Sequence, residues 1–115
     1  GPARRIVATD GGATAAVNLH GIAYDAGRDL VVVSDVGSAG NAGDGQLLTI
    51  AAASTASGPT AVRARVAGSA SRLGNPVDLA LTSDGVVYVA EKANGLVLRY
   101  DNLLTATGTR DAAAD

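Results

Sequence analysis

The sequence predicts an all-β chain built from a repeated multi-stranded unit, and three observations carry that prediction. The first is internal similarity. Asn18-Leu-His-Gly-Ile-Ala-Tyr-Asp25 lines up with Asn75-Pro-Val-Asp-Leu-Ala-Leu-Thr82, Leu30-Val-Val-Val-Ser-Asp35 with Val86-Val-Tyr-Val-Ala-Glu91, and Gly45-Gln-Leu-Leu-Thr-Ile50 with Gly95-Leu-Val-Leu-Arg-Tyr100. The offset from Asn18 to Asn75 is 57 residues, too long for one hairpin and right for one unit of several strands. The second is composition. Hydrophobic residues make up 47% of the chain, yet Phe, Trp, Met and Cys are absent and only three Tyr occur, so the core must be Val, Leu, Ile and Ala. Such small side chains suit thin, closely stacked sheets. The third is the run Leu30–Val33, apolar at every position, which signals a strand covered on both faces. A repeat of this period points to a β-propeller or a similar array, in which units bury their faces only against neighbours.

In chain order, Arg4–Ala8 is a short β-like run, broken by the turn residues Asp10-Gly-Gly-Ala-Thr14. Gly21–Asp25 and Leu30–Ser34 flank Ala26-Gly27-Arg28-Asp29 and read as a hairpin. A glycine-rich loop, Gly37–Gly45, leads to a third strand at Leu47–Ile50. The Ala/Ser/Thr segment 51–60 reads as a loop closed by Gly58-Pro59, and Ala64–Ala67 as a fourth strand. The second unit repeats the order with Asp78–Leu81, the turn Ser83-Asp84-Gly85, Val86–Ala90 and Leu96–Tyr100, after which Asp101–Asp115 reads as loop. The alanine-rich pieces lack a 3.6-residue apolar period and are expected to be loop rather than helix, although Ala favours helix. The expected organisation is an N-terminal outer strand and linker (1–17), a first four-stranded unit (18–67) and a second unit lacking its own outer strand (68–115).

Nine basic and eleven acidic residues leave a net charge of −2 with no basic stripe, which argues against nucleic acid as a partner. No stretch approaches the roughly 18 apolar residues of a membrane-spanning helix. The absence of cysteine excludes disulfides and thiolate metal sites.

The segment Asn75–Asp101, with Asn75-Pro-Val-Asp-Leu-Ala, Asp84-Gly85, Tyr88-Val-Ala-Glu91 and Asn94-Gly-Leu-Val-Leu-Arg-Tyr-Asp101, resembles an NHL repeat. Leu19–Ile50 is a weaker copy, with Leu19 where the family has Pro and a long insertion at Gly37–Gly45. The resemblance covers about 80 residues and implies a six-bladed type of propeller. It does not choose an activity, because related propellers include binding scaffolds and lactonase-like, metal-assisted hydrolases.

Numbering blade strands from inside out, the chain reads as an orphan outer strand, a full blade, and a blade without its outer strand. The expectation is therefore two four-stranded blades per chain, with Arg4–Ala8 of one copy completing the last blade of the next. Such a contact is head-to-tail and closes into a ring when the rotation fits. Three copies give six blades, inside the usual range of about 4–8, so the partner expected is the chain itself, as a homotrimer.

Up-and-down strands bring Asn18, His20 and Asp35 to one sheet edge, and Asn75, Asp78, Glu91, Lys92 and Asn94 to the matching edge. Oxygen ligands repeated around a channel mouth suit Ca²⁺ or Mg²⁺, and the candidate metal ligands are Asn75, Asp78, Glu91 and Asp35, helped by Asn18 and His20. The competing reading is turn chemistry, in which Asn and Asp at strand ends bond nearby backbone. His20 with Asp35 is the one base–orienter pair in view, yet no nucleophile motif accompanies it. Gly37-Ser-Ala-Gly-Asn-Ala-Gly43 lacks the Lys of a phosphate loop. The expected function is a structural or ligand-binding scaffold taking a small-molecule or protein ligand at the channel face. The enzyme alternative is a lactonase-like hydrolase at the same mouth.

Overall fold

Short β-branched and leucine-rich runs, punctuated by glycine and by Asx turns, give strands rather than helices. A computed structural model of the chain describes residues 3–38 and 43–115. The strands are β1 (Ile6–Asp10), β2 (Ala13–Thr14), β3 (Leu19–Asp25), β4 (Leu30–Asp35), β5 (Gln46–Ala51), β6 (Gly58–Ala61), β7 (Ala64–Ala67), β8 (Pro76–Leu81), β9 (Val87–Glu91), β10 (Leu96–Tyr100) and β11 (Gly108–Arg110). Two 3-10 turns, Ser69–Ser71 and Leu103–Thr105, complete the secondary structure, and no α-helix occurs among the described residues. The chain is thus all-β, as expected. The Gly37–Gly45 loop lies partly outside the described residues.

The strands form three sheets: an N-terminal one ordered β2-β1-β6, a central one ordered β11-β7-β5-β4-β3, and a C-terminal one ordered β10-β9-β8. Strands β3, β4, β5 and β7 pair antiparallel in succession, and β8, β9 and β10 repeat the first three. Even the irregularities repeat. The first strand of each meander shifts register near its start, between Leu19 and Ile22 and between Pro76 and Asp78.

The central sheet is covered on both faces, which is what the apolar run Leu30–Val33 requires. One face contributes Leu30, Val32, Leu47, Ala64 and Val66 to a core shared with Val87, Val89 and Tyr100 of the C-terminal sheet and Leu73, Leu103 and Leu104 of the connecting turns. The other face packs Val33, Leu48 and Ile50 against Ala8 and Ala15 of the N-terminal segment. The sheets approach most closely where β3 meets β8. A methyl group on Gly21 would lie 2.8 Å from Ser34 Oγ and 3.0 Å from Asp78 Cα, so only glycine allows that contact.

Three features depart from the sequence expectation. The N-terminal strand begins at Ile6 rather than Arg4, and it is no orphan: it pairs with β2 along one edge and with β6 along the other, inside its own chain. Segment 51–60 is not all loop, because Gly58–Ala61 forms a parallel strand against Ile6–Thr9. The final segment also contains a strand, Gly108–Arg110, parallel to Ala64–Val66. These two additions match. Gly58 N–H donates to Arg5 O at 2.6 Å and Gly108 N–H to Arg63 O at 2.9 Å. Both glycines hold positive φ, 71° and 79°, a backbone conformation natural to glycine. β1 therefore stands to the central sheet as β7 stands to the C-terminal one.

Candidate functional site: two buried carboxylate clamps

The strand-end acids occupy equivalent places. Asp35 closes β4 and Glu91 closes β9, exposed by 0% and 2%. A buried carboxylate must be compensated by hydrogen bonds or opposite charge. Asp35 Oδ1 accepts from Asn18 N at 2.9 Å and Gly37 N at 2.8 Å, while Oδ2 accepts from Val17 N at 2.7 Å and Gln46 Nε2 at 2.8 Å. Glu91 Oε1 accepts from Asn75 N at 2.6 Å and Ala93 N at 3.0 Å, and Oε2 from Asn94 N at 2.7 Å. A backbone bond accompanies each clamp: Val36 N donates to Asn18 O at 3.0 Å, and Lys92 N to Asn75 O at 2.9 Å. Each acid ties the entry of its meander's first strand to the turn that follows its second.

Burial pushes both carboxyl groups toward neutrality, and the hydrogen bonds outweigh it. Gln46 and the Gly37, Val17 and Asn18 amides hold Asp35 below its ordinary value, and the Asn75, Asn94 and Ala93 amides do the same for Glu91. Both are therefore anionic at neutral pH. Their lone pairs point at backbone N–H groups, so the arrangement is a loop anchor, the turn chemistry weighed above.

Of the residues expected around a cation, the structure joins Asn75 to Glu91 through the Asn75 amide, and Asn18 to Asp35 in the same way. It separates Asp78 from Glu91. Asp78 is exposed and sits opposite Ala90 on the exposed face of the C-terminal sheet, whereas Glu91 lies on the buried face. Asp78 Oδ1 accepts from Leu79 N at 2.9 Å. His20 is exposed on β3. Among the described residues, no three His, Asp or Glu side chains gather as a metal-binding group.

Sequence reasoning missed Gln46 and Arg65. Buried Gln46 donates through Nε2 to Asp35 and to Ala15 O at 2.6 Å, and its Oε1 accepts from Arg65 Nε at 2.6 Å. Arg65 continues outward to Asp10 at 3.0 Å. The available signal was the position of Gln46, at the head of a mostly apolar strand; its counterpart Leu96 has no such chemistry.

Compared with known protein families, curated proteins and solved structures, the chain finds no match in any of the three.

Proposed function

We propose that this chain is a two-blade segment of an NHL-type β-propeller, a structural or ligand-binding scaffold with no catalytic chemistry of its own, which completes its ring with copies of itself, three chains making six blades. One observation carries the reading: the chain repeats a single contact. The outer strand β7 of the central sheet receives β11 in parallel, and β1 receives β6 in the same way, with equivalent amide–carbonyl bonds at Gly108 and Gly58. A contact repeated along the chain by one and the same operation is the geometry from which rings grow. The resemblance of Asn75–Asp101 to an NHL repeat supports the same assignment.

The absence of chemistry in this reading rests on what the acids do. Asp35 and Glu91, the best-placed carboxylates, spend their oxygens on loop amides rather than facing a cavity. The test measures hydrolysis of a panel of aryl esters and lactones by the purified chain, with Ca²⁺, with Mg²⁺ and with chelator. No rate above buffer is expected. Chelator-sensitive hydrolysis would replace the scaffold reading with the lactonase-like one. Small-angle scattering of the same sample should give the profile of a short ring with a central hole.

A further inference from the structure

We infer that the free edge of β10 pairs with β1 of a second copy, antiparallel and in one register, Val97 opposite Ala8, with a short in-chain cap displaced from each edge. This rests on the ring reading above and adds to it the register of the partner strand and the caps it displaces.

The C-terminal sheet ends at β10, whose outer edge carries no strand among the described residues. A groove of ≈ 460 Å³ runs beside it, lined by Leu96–Arg99, Arg72 and the tail Ala113–Asp115. In the central sheet the matching edge is filled. Thr49 O accepts from Arg63 N at 2.8 Å, and β7 follows with Thr49, Leu48 and Leu47 opposite Ala64, Arg65 and Val66. Two equivalences transfer that register. β10 repeats β5, so Arg99, Leu98 and Val97 stand for Thr49, Leu48 and Leu47. β1 repeats β7, because Gly58 faces Ile6 as Gly108 faces Ala64. The incoming strand then sets Ile6 opposite Arg99, Val7 opposite Leu98 and Ala8 opposite Val97.

Side chains agree with this alignment. Ala8 points into the core against Val33, Leu48 and Ile50. Val97 is 76% exposed, whereas its counterpart Leu47 is fully buried beside Val66. Pairing with Ala8 carries Val97 to the place Leu47 holds within the chain. The flanking apolar residues lie on the two faces this contact joins: Tyr88, 39% exposed, beside β10, and Ile22 and Tyr24, 68% and 51% exposed, on the far face of β3. Their in-chain counterparts on the receiving side, Leu79 and Leu81, pack against the first core. Charge agrees as well. The exposed Arg4 and Arg5 precede β1 and arrive where Asp101 follows the end of β10.

Each edge is now held by a small stand-in. Two-residue β2 and the bond from Ala15 N to Ala8 O, 2.8 Å, cover part of β1, and Asp115 N donates to Arg99 O at 2.8 Å. Asp115 thereby occupies the position of Arg63. Both stand-ins are short, and Ala13, Thr14 and Asp115 in them are exposed, the class of structure that opens at least cost, while Ala15 beside β2 is buried against the second core and has to move with it. Exchanging one backbone bond for another is nearly neutral, so the newly buried apolar surface decides the direction.

The test begins with the mass of the 115-residue chain in solution across a concentration series, expected to reach three chain masses. A double variant, Ala8→Cys with Val97→Cys, introduces thiols into a chain that has none. Opposed residues on antiparallel strands have Cα atoms about 4.5–5.5 Å apart, within disulfide reach, so a reducible closed species of cross-linked chains is expected. Val97→Arg, at an exposed position, should keep the β-sheet spectrum and weaken association about tenfold or more. A single-chain mass for the parent at every concentration overturns the ring reading and this inference together. A larger mass with no cross-link in a folded double variant overturns the register alone, and so does an undiminished mass in Val97→Arg. If the double variant does not fold, Val97→Arg decides.

Discussion

Strands β4 and β9 hold the same place in matching sheets, yet their burial differs. Leu30–Asp35 is buried at every position but Val31, whereas Val87–Glu91 alternates between buried and exposed. The cause is layering. The central sheet lies between two others, while among the described residues the C-terminal sheet has a neighbour on one face only. The sequence follows suit, with an unbroken apolar run in the sandwiched strand and Tyr88 and Ala90 facing out of the other. The carboxylate clamp closing each strand is the same, so the local architecture is intrinsic to the unit and the burial is set by neighbours.

The sharpest way to break this comparison is truncation at the equivalent positions Leu47 and Val97. Leu47 is fully buried, and Leu47→Ala should cost about 3 kcal/mol in denaturant melts, the usual loss for emptying a packed core site. Val97→Ala should cost less than about 0.5 kcal/mol in the dilute single chain, since exposed side chains contribute little. Equal costs would show that the C-terminal sheet is covered even at low concentration.

The clamps come next. Asp35→Ala strands the Val17, Asn18 and Gly37 amides and the Gln46 side chain; Glu91→Ala strands three amides. A fully buried donor left unpaired costs about 1–3 kcal/mol, and one that water can still reach costs less. The Gly37 amide and Gln46 side chain are buried whereas the other amides are part-buried, so losses of about 3 and 2 kcal/mol are expected, the first larger because Gln46 and Arg65 also depend on Asp35. The pH dependence has a definite sign. Both carboxyl groups titrate lower in the folded chain than in the unfolded one. Their contribution is complete above the unfolded values of about 4 and is lost as pH falls through the lower folded values. Acid melts between pH 5 and pH 2 should therefore steepen below about pH 4 in the parent and flatten in Asp35→Asn. A parent profile no steeper than the variant's would remove the clamp's electrostatic role.

Much of this was legible in residue order, and the limits have physical reasons. Ala64–Ala67 and Leu96–Tyr100 are strands at the bounds the alternation and flanking glycines indicate, and the unbroken Leu30–Val33 run correctly announces two covered faces. Gly58–Ala61 and Gly108–Arg110 were not legible as strands. Each is only three or four residues long, begins with a glycine at positive φ and carries no apolar period, and each exists because a neighbouring strand offers a parallel edge. Asp35 and Glu91 stood out as paired strand-end acids. Where their oxygens point was not legible, because that depends on the backbone path of the flanking turns. Asp78 shares their sheet edge in sequence, but the register shift near Pro76 helps place its side chain on the other face.

A small effect of opposite sign comes from another difference between the sheets. Ile50 of the central sheet corresponds to Tyr100, a side chain 3% exposed whose hydroxyl has no hydrogen-bond partner among the described residues. Burial, and then the negative charge of Asp115, push this phenol up to about 12. A buried hydroxyl without a partner loses its hydration and gains nothing in return. Tyr100→Phe should therefore be neutral or stabilising by about 0.5–1 kcal/mol at neutral pH. At high pH the sign sharpens. The unfolded chain ionises this tyrosine near its ordinary value of about 10 while the folded chain resists, so the parent loses stability as pH rises from there toward the folded value. Tyr100→Phe removes that loss, and chemical melts at pH 7 and pH 11 should show the variant's advantage growing between them. An advantage that shrinks would mean that the folded chain ionises this tyrosine more readily than the unfolded one, with Arg110 as the first candidate to stabilise the phenolate.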